Sequence, residues 1–197
     1  IGTTIDDALG EAFDKTAKLL GVDFPGGPQI EKLAEKGNSK TYSLPKPIFN
    51  KGGCNLSFAG LKTAVLKISK TIKSEQEKFD LAASFQKTIE EILHKKTKIA
   101  FNKFEKLNKL SQKIFVVAGG VAANKNLRSM LKKLCVENNY KSIFPPIELC
   151  GDNAAMIAMV GLERFKRKQF NDLDYPVKPR WQLDENAKFL KGSGVKL

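Results

Sequence analysis

The sequence predicts an α/β fold in which short strands lead into helices through glycine turns. Residues 113–118 are an apolar run without alternation, which is typical of a strand buried on both faces of a sheet. Gly119 and Gly120 end this run, and a helix is predicted directly behind them, over residues 122–138. A further short strand is predicted at residues 142–144, where two prolines end it. This order of strand, helix and strand is the basis of the predicted class.

The first part of the chain is predicted to be mainly helical. Apolar residues recur at helical spacing over residues 6–20, and a glycine follows them. A second short helix is predicted over residues 29–36, behind the Pro-Gly-Gly-Pro turn at residues 25–28. Two short strands are expected after it, over residues 41–44 and 55–58.

Three more helices are predicted in the remainder. The first covers residues 60–69. Ser74 and Glu77 have the spacing of a capping box, which opens either one long helix or two in sequence. The last covers residues 152–168 and ends in basic residues that suit a helix C-terminus.

The length and the first residue of the sequence limit how the chain can be organised. Its 197 residues suffice for one sizeable core, or for one large domain with an appendage. We expect residues 1–168 to form the main unit and residues 169–197 to form a tail that packs on it. Because the sequence does not begin with methionine, we expect it to be a piece of a longer protein.

Charge and cysteine usage indicate the class of partner and the compartment. The net charge of +13, from 34 Lys and Arg against 21 Asp and Glu, favours polyanionic partners, although single lysines on solvated helix faces also account for it. Three cysteines without a short pairing indicate reduced thiols in a reducing compartment. There is no run of about 18 apolar residues and no secretory signal pattern, so we expect a cytoplasmic protein without a membrane span.

The strongest local signal for a binding site is the sequence VAGGVAAN at residues 117–124. Gly119 and Gly120 let backbone N–H groups approach an anion, and the helix N-terminus that follows favours negative charge. Asn124 is then within reach of a ribose hydroxyl or a base. The alternative is a tight turn with nothing bound, and the Gly-Lys-Ser/Thr of a Walker loop does not follow.

Carboxylates supply two further candidates. Asp152 stands at the head of an apolar helix and is either a helix cap, which its chemistry alone favours, or a metal ligand. Asp7, Glu11 and Asp14 have the spacing of one helix face, which is either solvated or a set of carboxylates that hold nucleotide hydroxyls. Because the turn at residues 25–28 follows closely, its glycines and these carboxylates are expected to line one cleft.

Five ordered motifs resemble the TsaD family, the bacterial tRNA adenosine threonylcarbamoyltransferases. They are GEAFDKTAKLLG at residues 10–21 with PGGP at 25–28, SFAGLKT at 57–63, AGGV at 118–121 with Asn124, DNAAMIA at 152–158, and PRW at 179–181. Together these motifs cover the later part of the family's sequence, somewhat more than half of it.

The resemblance implies a fold and a reaction. The family has an actin-like ATPase (ribonuclease H-like) fold with two α/β lobes and a nucleotide cleft between them. Residues 1–168 would then be the adenylate-binding lobe, mostly the second lobe and incomplete at its N-terminus, and the N-terminal lobe would be absent. The implied reaction moves a threonylcarbamoyl group from ATP-derived threonylcarbamoyl-adenylate to the amine of adenosine 37, in tRNAs that read codons beginning with A.

The resemblance also implies site residues and partners. Asp152 would be one ligand of an iron or zinc ion, whose other ligands are two histidines in the absent lobe. His94 is single and does not replace them. The implied partners are tRNA and the accessory subunits TsaB and TsaE. The implied nucleotide-binding residues are Asp14, Gly27, Glu31, Gly119, Gly120 and Asn124.

Two other functions remain open at this point. One is a metallopeptidase, an activity the family was once assigned, although the sequence lacks the H-E-x-x-H pattern of zinc peptidases. The other is a non-catalytic nucleotide-binding module that acts by docking to partner subunits. In every case we expect this piece to show little catalysis by itself.

Overall fold

A computed structural model describes residues 1–108 and 112–177 of the chain. Within these ranges helices and short strands follow one another, which confirms the predicted α/β class. The helices are α1 (Leu9–Leu19), α2 (Gly26–Ala34), α3 (Ala59–Ser69), α4 (Glu75–Leu107), α5 (Lys125–Glu137) and α6 (Ala154–Lys166). The strands are β1 (Ile114–Val116) and β2 (Lys141–Ile143), and two short 3-10 helices are Gly120–Ala123 and Ile147–Leu149.

The long α4 is a single helix of 33 residues, which decides between the two alternatives left by its sequence. The Ser74 Oγ accepts a hydrogen bond from the Glu77 backbone N–H at 3.2 Å. The Glu77 carboxylate accepts one in return from the Ser74 N–H, also at 3.2 Å. This confirms the predicted capping box, which satisfies N–H groups that no helical carbonyl reaches.

The first helix begins at Leu9 and not at residue 6, because Asp6 binds another helix. The Asp6 carboxylate accepts hydrogen bonds from the N–H groups of Phe58 at 2.7 Å and Ala59 at 3.3 Å. Its second oxygen accepts one from the Ser57 hydroxyl. These amides lie at the start of α3 and have no helical partner, so Asp6 is a cap supplied from outside that helix.

The two strands predicted around Tyr42 and Leu56 are wrong. The Tyr42 N–H donates to the Ser84 Oγ of α4 at 3.2 Å. Leu56 pairs only with Thr4, in an isolated parallel bridge. The backbone of one segment thus binds α4, and that of the other forms one isolated bridge. The apolar side chains of both segments therefore pack on helices and do not indicate a sheet.

The two strands that do form are parallel, and α5 connects them. β1 pairs with β2 in the register Phe115 to Ser142. The prediction of a strand buried on both faces is wrong within the described residues: Ile114 is 45% exposed and Val116 is 60% exposed. Only the face of Phe115 is covered, and no described element lies on the other face.

The core lies mainly between the helices. The largest buried cluster joins α1, α2, α3 and α4, and the Phe13 and Phe85 rings meet edge to face in it with centroids 5.2 Å apart. A second cluster holds α5 and the strands against the end of α4. There Phe101 stacks on Tyr140 with centroids 3.8 Å apart and meets Phe115 edge to face. The burial of these aromatic side chains holds the helices around the site described below.

The last described elements are exposed. No residue of α6 is buried, and residues 169–177 follow it along the surface. The PRW motif and most of the predicted C-terminal tail lie outside the described residues. None of the helices in the described part of the chain combines the length and the apolar content that crossing a membrane requires.

Candidate functional site

A cavity of about 660 Å³ opens where the N-termini of α2, α5 and the 3-10 helix Gly120–Ala123 come together. We call this cavity the cleft. Its polar lining side chains are Asp14, Glu31, Asn124, Lys125 and Asp152. Its lining glycines are Gly10, Gly27, Gly120 and Gly151, and its apolar lining residues are Phe13, Phe24, Pro25, Pro28, Val121, Ala123 and Ile147.

Asp14 binds the N-terminus of α2 from its place on α1. Its Oδ1 accepts a hydrogen bond from the Gly26 N–H at 2.9 Å. A side chain at Gly26 would meet the Asp14 Cα at 2.6 Å and the Ala17 Cβ at 2.7 Å. Only glycine therefore lets α1 and α2 approach this closely, and the approach brings Asp14 to the cleft.

The other members of the predicted acidic face do not join Asp14 in the cleft. Asp7 precedes α1 and forms ion pairs with Lys62 and, at 3.7 Å, with Lys15. Glu11 also pairs with Lys15. These two carboxylates therefore belong to a charge network, and Asp14 is the member of the face that lines the cleft.

Asn124 caps α5 at the edge of the cleft. Its Oδ1 accepts a hydrogen bond from the Leu127 N–H at 2.9 Å, and its Nδ2 donates to the Gln86 Oε1 at 2.9 Å. The sequence predicted a helix over residues 122–138, which would place Asn124 within its first turn. The structure places it at the N-cap because the 3-10 helix occupies the preceding residues.

Glu31 joins α2 to α5 beside the cleft. Its Oε1 accepts a hydrogen bond at 2.6 Å from the backbone N–H of Lys125, the first residue of α5. A carboxylate at this place satisfies an N–H that lacks a helical partner and suits the positive end of the helix dipole. The residue expected to contact a ribose thus also positions one wall of the cleft.

Glycines at and next to the cleft shape the chain and leave space for a ligand. Gly119 has a φ of +92°, which an L side chain rarely adopts, and it turns the chain from β1 into the 3-10 helix. Gly27 and Gly120 have ordinary φ values, and a Cβ at either position would meet no atom of another described residue within 4 Å. The space next to these two glycines is therefore available to a ligand.

Asp152 does not cap α6, so the cap interpretation favoured by its chemistry alone is wrong. Asn153 is the N-cap, and its Oδ1 accepts a hydrogen bond from the Met156 N–H at 3.0 Å. The Asp152 carboxylate has no hydrogen bond or ion pair with residues 1–108 or 112–177. It lies between the cleft and a second cavity of about 620 Å³ along α6, where it is open to a ligand.

A metal ion in a protein normally needs three or more protein ligands. In the described part of the chain, no group of three His, Cys, Asp or Glu side chains is close enough to hold one. His94 lines a different groove, on α4, together with Lys87 and Glu90. Asp152 is thus a single oxygen donor, and these residues do not form a metal site by themselves.

The arrangement fits a ligand with an anionic group and an apolar ring. The N-termini of α2 and α5 and a 3-10 turn adjoin the cleft, although Asp14 and Glu31 already bind the N–H groups of Gly26 and Lys125. The Lys125 side chain adds a positive charge. Phe13, Val121 and Ile147 cover other parts of the wall. The volume of about 660 Å³ is typical of small-molecule sites.

Three residues of this region were missed in the sequence. Lys125 looked like one more surface lysine. Phe24 is 83% exposed at the cleft. Its place directly before the Pro-Gly-Gly-Pro sequence was the available signal; this sequence was predicted to be a turn, but α2 already begins at Gly26. Gln86 interrupts the apolar face of α4, but a polar residue at that spacing does not reveal its partner in α5.

Comparison with known proteins places the chain among similar sequences of one family. The family model described as "TsaD: tRNA N6-adenosine threonylcarbamoyltransferase" matches residues 1–159. A protein of that name from Pelagibacter ubique (strain HTCC1062) is 73% identical over 197 residues, which is 100% of this chain and 55% of that protein.

Relatives from Rickettsia have the same name, and the match covers the same share of their length. Those from Rickettsia conorii (strain ATCC VR-613 / Malish 7) and Rickettsia rickettsii (strain Sheila Smith) are 51% and 50% identical over 188 residues. In each case the match covers 94% of this chain and 55% of the relative. The chain therefore spans about half the length of the relatives it matches.

Proposed function

This chain belongs to the TsaD family of tRNA N6-adenosine threonylcarbamoyltransferases, and from that premise we propose that it forms the adenylate-binding part of such an enzyme. The complete enzyme transfers a threonylcarbamoyl group from threonylcarbamoyl-adenylate to the amine of adenosine 37 in tRNAs that read codons beginning with A. Residues 1–168 are the adenylate-binding lobe, mostly the second lobe of an actin-like fold.

The observation that supports this function best is the open floor of the cleft. Gly27 and Gly120 lie at the starts of α2 and the 3-10 helix, and no atom of residues 1–108 or 112–177 fills the space where their side chains would be. Backbone N–H groups at such places bind phosphate without a cationic side chain. The phosphate of an adenylate matches this chemistry.

Different residues of the cleft then bind different parts of the adenylate. Asp14, Gly27 and Asn124 hold the adenylate, with the turn at Gly119 and Gly120 beside its phosphate. Glu31, whose Oε1 already binds the α5 N-terminus, offers its second oxygen to the ribose.

The transfer itself is an acyl transfer with adenylate as the leaving group. The adenosine amine attacks the carbamoyl carbon, a C–N bond forms, and the bond from that carbon to the phosphate oxygen breaks. Negative charge develops on the departing phosphate, and the N–H groups around the cleft stabilise it. The amine loses one proton in the step, and this proton passes to bulk water.

Asp152 would supply one oxygen ligand to an iron or zinc ion of the complete enzyme, and the other ligands would come from sequence outside this chain. Such an ion polarises oxygen atoms and neutralises developing charge. The position of Asp152 beside the cleft and its unpaired carboxylate support this role.

The proposed partners follow from the reaction and the charge. The tRNA substrate is polyanionic and the chain has a net charge of +13, so binding is expected to weaken as salt rises. The accessory subunits TsaB and TsaE complete the proposed assembly in the cytoplasm.

The test uses a composite enzyme, in which this chain replaces the matching 55% of the Pelagibacter ubique relative. Gly27→Ala places a methyl group in the space assigned to the adenylate and meets no protein atom. We expect it to raise the KM for threonylcarbamoyl-adenylate by about tenfold or more without loss of stability, because alanine is the better helix former.

Gly52→Ala is the matched control, because a Cβ there also meets no protein atom and Gly52 does not line the cleft. It should leave the KM unchanged. If Gly27→Ala binds the adenylate as well as the unsubstituted composite does, the cleft is not the adenylate site.

A further inference from the structure

Gln86 is a polar side chain in the apolar interior of the molecule. It lies on α4 directly after Phe85 and is only 4% exposed. The Gln86 Oε1 accepts a hydrogen bond at 2.9 Å from the Asn124 Nδ2. Gln86 does not line the cleft, whereas Asn124 does.

This bond completes the pairing of the Asn124 amide. The Asn124 Oδ1 accepts from the Leu127 N–H, and its Nδ2 donates to Gln86, so each end of the amide has its own partner. If the amide were turned over, its NH₂ group would face the Leu127 N–H, and that contact would be repulsive. The α5 N-terminus therefore selects the orientation, and the Gln86 oxygen accepts from the NH₂ group in that orientation.

The orientation matters because Asn124 joins two walls of the cleft. The 3-10 helix with Gly120 ends at Asn124, and α5 begins there with Lys125, whose N–H binds Glu31 of α2. Without the Gln86 acceptor, a buried amide N–H would lack a partner, and a buried donor without a partner is costly. The N-cap and the residues that precede it would then be free to shift.

We propose that Gln86 is a positioning residue for adenylate binding, which acts by holding the Asn124 amide and with it the start of α5. The inference rests on the proposed function of the cleft. A purely structural role for Gln86 would change the stability of the fold and leave the affinity for the adenylate unchanged.

The experiment compares three variants of the composite enzyme. Gln86→Met keeps the volume and removes the acceptor oxygen, and Gln86→Glu keeps an acceptor. Ser84→Ala removes a buried hydroxyl of α4 that binds the Tyr42 N–H and does not line the cleft. The measurements are the KM and kcat with threonylcarbamoyl-adenylate, the Kd for AMP, and the unfolding midpoint in urea. Gln86→Ala takes the place of Gln86→Met if that variant does not fold.

Gln86→Met is expected to raise the KM and the AMP Kd about tenfold, with kcat changed by less than about twofold. Gln86→Glu should restore both to within about threefold of the unsubstituted enzyme. Ser84→Ala should lower the unfolding midpoint and leave both values unchanged.

The proposal is overturned if Gln86→Met leaves the KM and the AMP Kd unchanged, or if Ser84→Ala raises them equally for the same loss of stability. Absence of transfer by the unsubstituted composite enzyme would instead contradict the proposed function. The AMP titrations would still decide the role of Gln86 in that case.

Discussion

Single residues of the cleft have two tasks at once. Asp14, Glu31 and Asn124 each bind an N–H group at the start of a helix, and each also lines the cavity. Replacing any of them removes a capping interaction, which commonly costs about 1 kcal/mol, in addition to any contact with a ligand. Loss of activity in such variants therefore combines weaker binding with a weaker fold.

Asp152 differs from them because its carboxylate binds no described residue. We expect Asp152→Ala to abolish tRNA modification by the composite enzyme, because the proposed metal loses an oxygen ligand. The unfolding midpoint should stay the same, since the substitution removes no hydrogen bond within the described structure. The two measurements are modified adenosine in total tRNA and urea unfolding followed by circular dichroism.

The neighbouring Asn153 is the matched control. Its Oδ1 caps α6, so Asn153→Ala should lower stability by about 1 kcal/mol and leave the metal ligand in place. Full modification by Asp152→Ala would contradict the metal assignment.

At the scale of elements, α4 also organises a loop through a buried lysine. The Lys96 Nζ donates to the backbone carbonyls of Lys51 at 2.9 Å and Gly53 at 3.3 Å. Only 4% of Lys96 is exposed, and burial lowers the pKa of its ammonium group below the ordinary 10.5. The nearby Cys54 acts in the opposite direction on this pKa, and Lys95 lowers it further.

The lowered pKa of Lys96 predicts a pH dependence of stability. Between the lowered value and 10.5 the unfolded chain binds more protons than the folded chain, so the contribution of Lys96 to the free energy of unfolding rises with pH. Lys96→Met lacks this group. The difference in unfolding free energy, wild type minus Lys96→Met, should therefore increase as the pH approaches 10.5 in urea titrations. A difference that is flat or falls with pH would contradict the assignment.

Helices were predictable from the sequence because their signals are local. The capping box at Ser74 and the apolar period of α4 are complete within the segment itself. The segments around Tyr42 and Leu56 also have an apolar pattern, but their partners lie on α4 and near the N-terminus, 42 and 52 positions away. Such partners cannot be identified from a short window of sequence.

The sequence predicted the glycine turn of the candidate site, but it did not predict the hydrogen bonds that join the parts of the site. A strand that ends in Gly119 indicates a tight turn, and the turn is present with a positive φ. The bond from Glu31 to the Lys125 N–H joins residues 94 positions apart, and no local pattern indicates it. Asp152 was expected to cap α6 on its chemistry, but Asn153 lies one position nearer to the first free N–H groups and takes that place.

At the scale of the whole molecule, α6 has an apolar side that is exposed in the described residues. Ile157 and Phe165 of α6 are 66% and 67% exposed. The second cavity, lined by Met156 and Met159, lies along the same helix. Exposed apolar surface of this kind is typical of a face that another protein segment covers.

We expect the isolated 197-residue chain to self-associate through this side, because burying the exposed face of α6 removes apolar surface from water. Sedimentation velocity should show species that grow with concentration over about 10 to 100 µM. Ile157→Glu combined with Val160→Glu places two charges one turn apart on that helix and should return the chain to a monomer. Val136→Glu is the matched control, since Val136 is an equally exposed apolar residue on α5 and a change there should not alter the association. An unsubstituted chain that sediments as a single monomeric species throughout this range would show that the apolar side does not drive association.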